Sequence, residues 1–116
     1  MSFKGNEGGP VSREMARKWI KNYQDFQSAR TSGRIGAKAH FFGKDNILKL
    51  LDLEGCMGVR IYYSEDENGD LKPLMVATNS EMQDILPTDN KSISEDGPMI
   101  LDESWPCPPY CPDTEI

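Results

Sequence analysis

Three cysteines and a single histidine are the residues of this chain with the widest chemical reach. Cys107 and Cys111 stand four apart in the run Trp105-Pro106-Cys107-Pro108-Pro109-Tyr110-Cys111-Pro112. With Cys56 and His40 they make a three-cysteine, one-histidine set that tetrahedral zinc accepts. The Cys107/Cys111 spacing suits one ligand pair. Zinc modules ordinarily carry two such local pairs, and here there is one. The same residues allow a second chemistry, with Cys56 as nucleophile and His40 as its base. That needs an activated thiolate within hydrogen-bond reach of the imidazole. The plain alternative is that Cys56 packs as a small hydrophobe, as unpaired cysteines commonly do. The residue types rank packing first, zinc second and catalysis last.

The tail constrains its own cysteines. Trp105, Cys107, Pro108 and Cys111 each precede a proline, which biases them towards extended geometry. In a regular polyproline helix the Cα atoms of Cys107 and Cys111 would lie about 12 Å apart. A disulfide tolerates no more than about 7 Å. Pairing through sulfur or zinc therefore requires a turn at Pro108-Pro109-Tyr110. An odd cysteine count without a dense framework points to a reducing compartment. The expectation is a cytoplasmic protein with its thiols reduced and with Trp105 anchoring the tail.

Charge supplies the next candidates. The net charge of −6 hides a partition of +5 up to Arg60 and −11 from Ile61 onward. Mutual attraction of the two halves within one fold is the simplest reading. It predicts that basic residues of the first helix lie near acids of the second half. A basic face for a protein partner or an anion is the sharper reading, with Arg60, Arg17 and Lys21 as its residues. Nucleic acid is disfavoured among such partners. Arg60 stands in a strand between Val59 and Ile61, where a long basic side chain also snorkels to solvent or an acid. The loop Ser64-x-Asp66-x-Asn68-Gly69 resembles the start of a calcium loop. Its twelfth position is Met75, where a bidentate glutamate is needed, so it reads as a hairpin turn. No phosphate-binding or dinucleotide fingerprint is present.

The elements that would position these groups follow from periodicity. Residues 1–10 hold little that packs and read as a mobile arm. Ser12 is placed to cap a helix with Glu14 in its first turn. Met15, Ala16, Trp19, Ile20, Tyr23 and Phe26 recur at helical spacing and predict an apolar stripe buried in a core. Thr31-Ser32-Gly33 is exit chemistry. Residues 35–42 alternate and predict a short extended segment. A short helix follows from about Lys44 to Leu53, with Ile47, Leu48, Leu50 and Leu51 as its buried face and Gly55 as a left-handed cap.

The strand from Gly55 to Tyr63 and the apolar run from Leu71 to Thr78 predict a β-hairpin. Asn68-Gly69 predicts a two-residue type I′ turn. That register sets Tyr63 opposite Leu74, Ile61 opposite Val76, Val59 opposite Thr78 and Arg60 opposite Ala77. Val59, Ile61 and Tyr63 would then form the buried face. Pro73 would face Ser64 and mark the second strand as an edge near Pro73. Residues 80–86 read as a helical turn capped by Ser80 and closed by Pro87. Residues 88–97 read as an acidic loop, and Pro98 to Leu101 as a segment docked on the domain.

Phe42-Gly43, the Leu-rich helix, the strand Gly55-Cys56-Met57-Gly58-Val59-Arg60-Ile61-Tyr62-Tyr63 and the Cys-Pro-Pro-x-Cys tail together resemble a family of small uncharacterised bacterial proteins. The resemblance covers most of the chain after the first helix. It implies a compact single domain in which this strand recurs with this tail, and it implies no activity.

The sequence as a whole predicts an α+β fold. An N-terminal amphipathic helix and a short second helix pack on a small antiparallel sheet centred on the hairpin. The organisation expected is an arm over 1–10, one domain over 11–105 and a Pro/Cys-rich tail over 106–116. No apolar run approaches the roughly 18 residues of a membrane span. The expected function is a non-enzymatic cytoplasmic binding or regulatory module acting through protein contacts and without a cofactor. The alternative is a small zinc-binding protein using Cys56, Cys107, Cys111 and His40.

Overall fold

The computed structural model describes residues 1–30, 36–88 and 97–116. It is α+β, with two helices and small antiparallel sheets. The chain divides into two compact units rather than one domain with an arm and a tail. One comprises Met1–Glu7 with Phe42–Ser104, the other Gly8–Phe41 with Trp105–Ile116.

The first unit is built on helix α2 (Lys44–Leu51) and strands β2 (Cys56–Glu65), β3 (Leu71–Asn79) and β4 (Asp84–Ile85). The strands run in the order β2-β3-β4, so β3 is central and β2 is an edge. The core is Leu50 from α2 against Met75 and Ala77 of β3 and Leu101, ringed by Phe42, Ile47, Leu53, Cys56, Ile85 and Met99. Leu48 and Leu51 of α2 are exposed, so its buried face is narrower than the leucine run suggests. Leu101 bonds both ways to the backbone of Met75 at 2.8 and 3.0 Å, which docks the Pro98–Leu101 segment as expected. The N-terminal arm reaches this unit: the Phe3 N–H donates to the Ser80 carbonyl at 2.8 Å.

The hairpin forms, but one residue out of the expected register. Ile61 faces Met75, Tyr62 faces Leu74, Tyr63 faces Pro73, Arg60 faces Val76 and Val59 faces Ala77. The turn explains the shift. The Asp66 carboxylate accepts from the N–H groups of Asn68 and Asp70 at 2.9 and 3.0 Å. The Asp66 N–H bonds to the Asp70 carbonyl and the Gly69 N–H to the Asp66 carbonyl. Of the two turn residues only Gly69 has positive φ, +84°, whereas type I′ needs it at both. The loop is therefore the longer one, in which a left-handed glycine follows a type I turn. An added Cβ at Gly69 would come no nearer than 3.8 Å to a neighbour, so only the backbone demands glycine. Gly69→Ala is expected to cost about 1 kcal/mol. Asn68→Ala should cost much less, and paired denaturant melts measure the difference.

Val59, Ile61 and Tyr63 share a face with Ala77, Met75 and Pro73, but only the β3 members are buried. Pro73 lies where the far side of β3 is an open edge, as expected, although β3 is central further along. It is tolerated because β4 pairs only with Ala77 and Thr78, and the Leu101 bridge stops at Met75.

The helical turn expected over 80–86 is instead a reversal into β4. Asn79 drives it: its side-chain oxygen accepts from the N–H groups of Glu81 and Gln83, and its own N–H bonds to the Gln83 carbonyl.

The second unit holds helix α1 (Arg13–Arg30) and a two-stranded ribbon of β1 (Ala39–Phe41) and β5 (Trp105–Cys107). Ser12 caps α1 as predicted, its hydroxyl accepting from the Met15 N–H at 3.1 Å. The expected helix exit at 31–33 and the start of the extended segment at Ile35 lie outside the described residues, as does most of the acidic loop. The predicted burial of the α1 stripe is overturned for its largest side chains: the helix fully buries no residue, and only Ala16 and Ile20 of the stripe are half-buried. Trp19 is 53% exposed and Phe26 59%, and Met15 and Tyr23 are exposed with them. Trp105 does not anchor the tail by burial either. It is exposed and stacks on Tyr110 with ring centroids 4.8 Å apart. The strand pairing of β5 with β1 and the buried Cys107 hold that segment.

Candidate functional site

The cysteines and the histidine are not gathered. Cys107 and Cys111 form a disulfide, with Cα atoms 4.8 Å apart, inside the range such a bond accepts. The chain makes the turn through Pro108-Pro109-Tyr110 that pairing requires, and the Tyr110 N–H bonds back to the Pro106 carbonyl. The expectation of reduced thiols at these two positions is thereby overturned. Local chain direction outweighed the extended bias of the prolines. His40 faces Pro106 across the ribbon, while Cys107 faces Ala39. Adjacent strand residues point to opposite faces, so His40 and Cys107 do not converge. Cys56 belongs to the other unit, in β2, and its thiol donates to the Gly58 carbonyl at 3.2 Å. Among the described residues no group of three or more His, Cys, Asp or Glu is placed to hold a metal. Thiol titration in denaturant without reductant is expected to find one free thiol per chain, that of Cys56. Three would contradict the disulfide.

The basic residues singled out by charge belong to different units, and each holds a partner. Arg60 lies in the β2 unit, Arg17 and Lys21 on α1. Lys21 pairs with Asp25 one turn on at 2.8 Å, a solvated pair of small worth. Arg17 donates to the Ile116 carbonyl at 2.7 Å and Arg13 to that of Glu115 at 2.6 Å. The Glu115 carboxylate reaches Lys38 at 3.5 Å. The attraction of early bases for the late acidic segment is realised mainly through tail carbonyls. Among the described residues Lys38, outside the helix, meets the Glu115 carboxylate and Arg60 meets that of Asp84. On a helix advancing 100° per residue, Arg17 and Lys21 fall on the side opposite Met15, Trp19 and Phe26.

Arg60 is the centre of the most organised polar cluster. Its guanidinium pairs with Asp84 of β4 at 2.8 Å and donates to the Met82 carbonyl at 3.3 Å. The Thr78 hydroxyl donates to Asp84 at 3.1 Å, and so does the Tyr62 hydroxyl. Phe3 lies under the guanidinium, 5.7 Å from the ring centroid. The Tyr62 hydroxyl, and after burial's opposing effect the Asp84 charge, hold Arg60 above its ordinary pKa. Sequence reading missed Asp84 as the partner because it placed residue 84 in a helix. The cluster borders a cleft of about 340 Å³ lined by Phe3, Glu7, Met57, Val59, Arg60 and Thr78 among others. The Glu7 carboxylate there accepts from the Lys4 and Gly5 N–H groups, and the Lys4 bond foremost lowers its pKa. The cleft's two charged groups thus hold partners from the chain itself, and neither a thiol nor an imidazole lines it.

The chain matches no family model, no curated protein and no solved structure. The reading of its function therefore rests on the residues themselves. Among the described residues no helix is long and apolar enough to cross a membrane.

Proposed function

We propose that the protein is a non-enzymatic binding or regulatory module that acts through protein contacts, with α1 as its contact element. The observation that carries this reading is the exposed stripe of Met15, Trp19, Tyr23 and Phe26 on an 18-residue helix that buries none of its residues. Large exposed apolar side chains at helical spacing are the anchors by which a helix enters an apolar groove of a partner. Trp and Tyr are also the residue types that most often dominate such contacts. Arg30 stacks on Phe26 at 5.4 Å and adds a positive group at the end of the stripe. Lys18 borders it. A groove with an acidic rim fits this face best.

The test is a photo-crosslinking side chain placed in living cells at position 19, or at Ser28 on the opposite side of α1. One discrete protein adduct from position 19 and none from position 28 is the expected result. Equal labelling from both positions, or none, counts against the reading.

The zinc alternative requires thiolates at Cys107 and Cys111, so it applies only to the chain with that bond reduced. Location is tied to the same bond. An odd cysteine count favours the cytoplasm, whereas a persistent disulfide favours an oxidising compartment. Alkylating the thiols at the moment of cell lysis decides between them.

A further inference from the structure

The outer edge of β2 goes beyond the α1 reading. β2 has ten residues and pairs with β3 on one side only. Among the described residues no strand lies on its other side. The direction of its backbone groups follows from its neighbours. Met75 exchanges both of its backbone hydrogen bonds with Leu101, so they point away from β2. Ile61, which faces Met75, is then a non-hydrogen-bonded partner, and its own N–H and C=O point outward. The same holds two residues either way, at Val59 and Tyr63. Asp66 agrees in phase, since its N–H points inward to Asp70. Three of these outward-directed residues carry exposed apolar side chains: Ile61 is 50% and Tyr63 85% exposed, with Val59 exposed beside them. Edges are ordinarily guarded by lysine, proline or a bulge. Here the bulge lies at Met57, outside this stretch, and Gly5 packs there against the Met57 side chain and carbonyl. Arg60, the one charge in Val59 to Tyr63, is held by Asp84, so the stretch is left as an open template.

We propose that this edge pairs with β2 of a second copy of the chain, antiparallel and two-fold symmetric about Ile61. Self-pairing is favoured because the strand complements itself in that register. Outward-directed residues must face outward-directed residues, so the axis through Ile61 sets Val59 opposite Tyr63 of the other copy. A β-branched residue against an aromatic one is a favourable cross-strand pair. Arg60 then faces Tyr62. Nowhere do like charges meet. An axis through Arg60 would oppose two guanidinium groups, which disfavours it. The contact is isologous, so it closes at the dimer and joins the two sheets into one.

Sedimentation of the full chain from low micromolar to near-millimolar concentration tests the proposal. The expected result is a reversible monomer–dimer equilibrium. Ile61→Lys sets two introduced charges on the axis and should weaken the dimer by more than about tenfold. Its melting curve at low concentration should match that of the parent. Ile61→Cys, in a Cys56→Ser background, brings two Cα atoms to about 5.5 Å across the axis. Mild oxidation should then give a covalent dimer, whereas Val59→Cys in the same background should not. A chain that stays monomeric throughout overturns the proposal, as does a dimer that withstands Ile61→Lys. Crosslinking through Val59→Cys rather than Ile61→Cys would overturn the register.

Discussion

Leu50→Ala is expected to lower stability by about 2–5 kcal/mol, the largest effect of any single truncation in α2. Leu50 is fully buried and touches the centre of the core formed with Met75, Ala77 and Leu101. Removing its outer carbons loses transfer energy and leaves a cavity that β3, hydrogen-bonded on both sides, cannot collapse to fill. Leu48→Ala and Leu51→Ala supply the control. Both leucines are nearly half exposed, so each should cost less than about 1 kcal/mol. Urea unfolding of the three variants measures the contrast. Equal losses at all three positions would mean that the whole leucine run is buried.

Trp19→Ala should show the opposite pattern, with little effect on stability and a large one on binding. At 53% exposure the indole contributes little to the fold, and the melting midpoint should move by no more than about 0.5 kcal/mol equivalent. Against the protein captured from position 19, affinity should fall about 30-fold or more, the signature of an interface anchor worth about 2 kcal/mol. Were Trp19 a core residue, truncation would cost about 3–5 kcal/mol of stability instead. Calorimetric melts and binding isotherms of the same two proteins separate these outcomes.

These contrasts also show what was legible in the residues. The span of α1 was readable, because Ser12 and the 3.6-residue period are local signals. Its exposure was not, since a stripe of Met15, Trp19, Tyr23 and Phe26 has the same period whether it enters this chain's core or another's. The hairpin was readable from two apolar runs and a glycine turn. Its register was not, because the Asp66 side chain competes for the turn N–H groups and lengthens the loop. A one-residue change put Arg60 opposite Val76 and set Val59 and Ile61, exposed on the edge strand, beside the core residues Ala77 and Met75. β4 was hidden for a similar reason: Asn79 reverses the chain where Ser80 and Pro87 read as helix bounds. With β4 went Asp84, and with Asp84 the partner of Arg60. At the hairpin turn and at β4 a short polar side chain bonding to nearby backbone outweighed an apolar pattern or a cap signal.

The exposed α1 stripe is tested most directly by the light emitted from Trp19 itself. Trp105→Phe leaves it as the only tryptophan, since the chain has two. In the isolated protein, acrylamide should quench it readily and its emission should lie towards the red, as for an indole in water. Adding the partner captured from position 19 should shift the emission to the blue and shield it from acrylamide. A blue, shielded tryptophan in the isolated protein would contradict the account, because the stripe would then belong to this chain's own core.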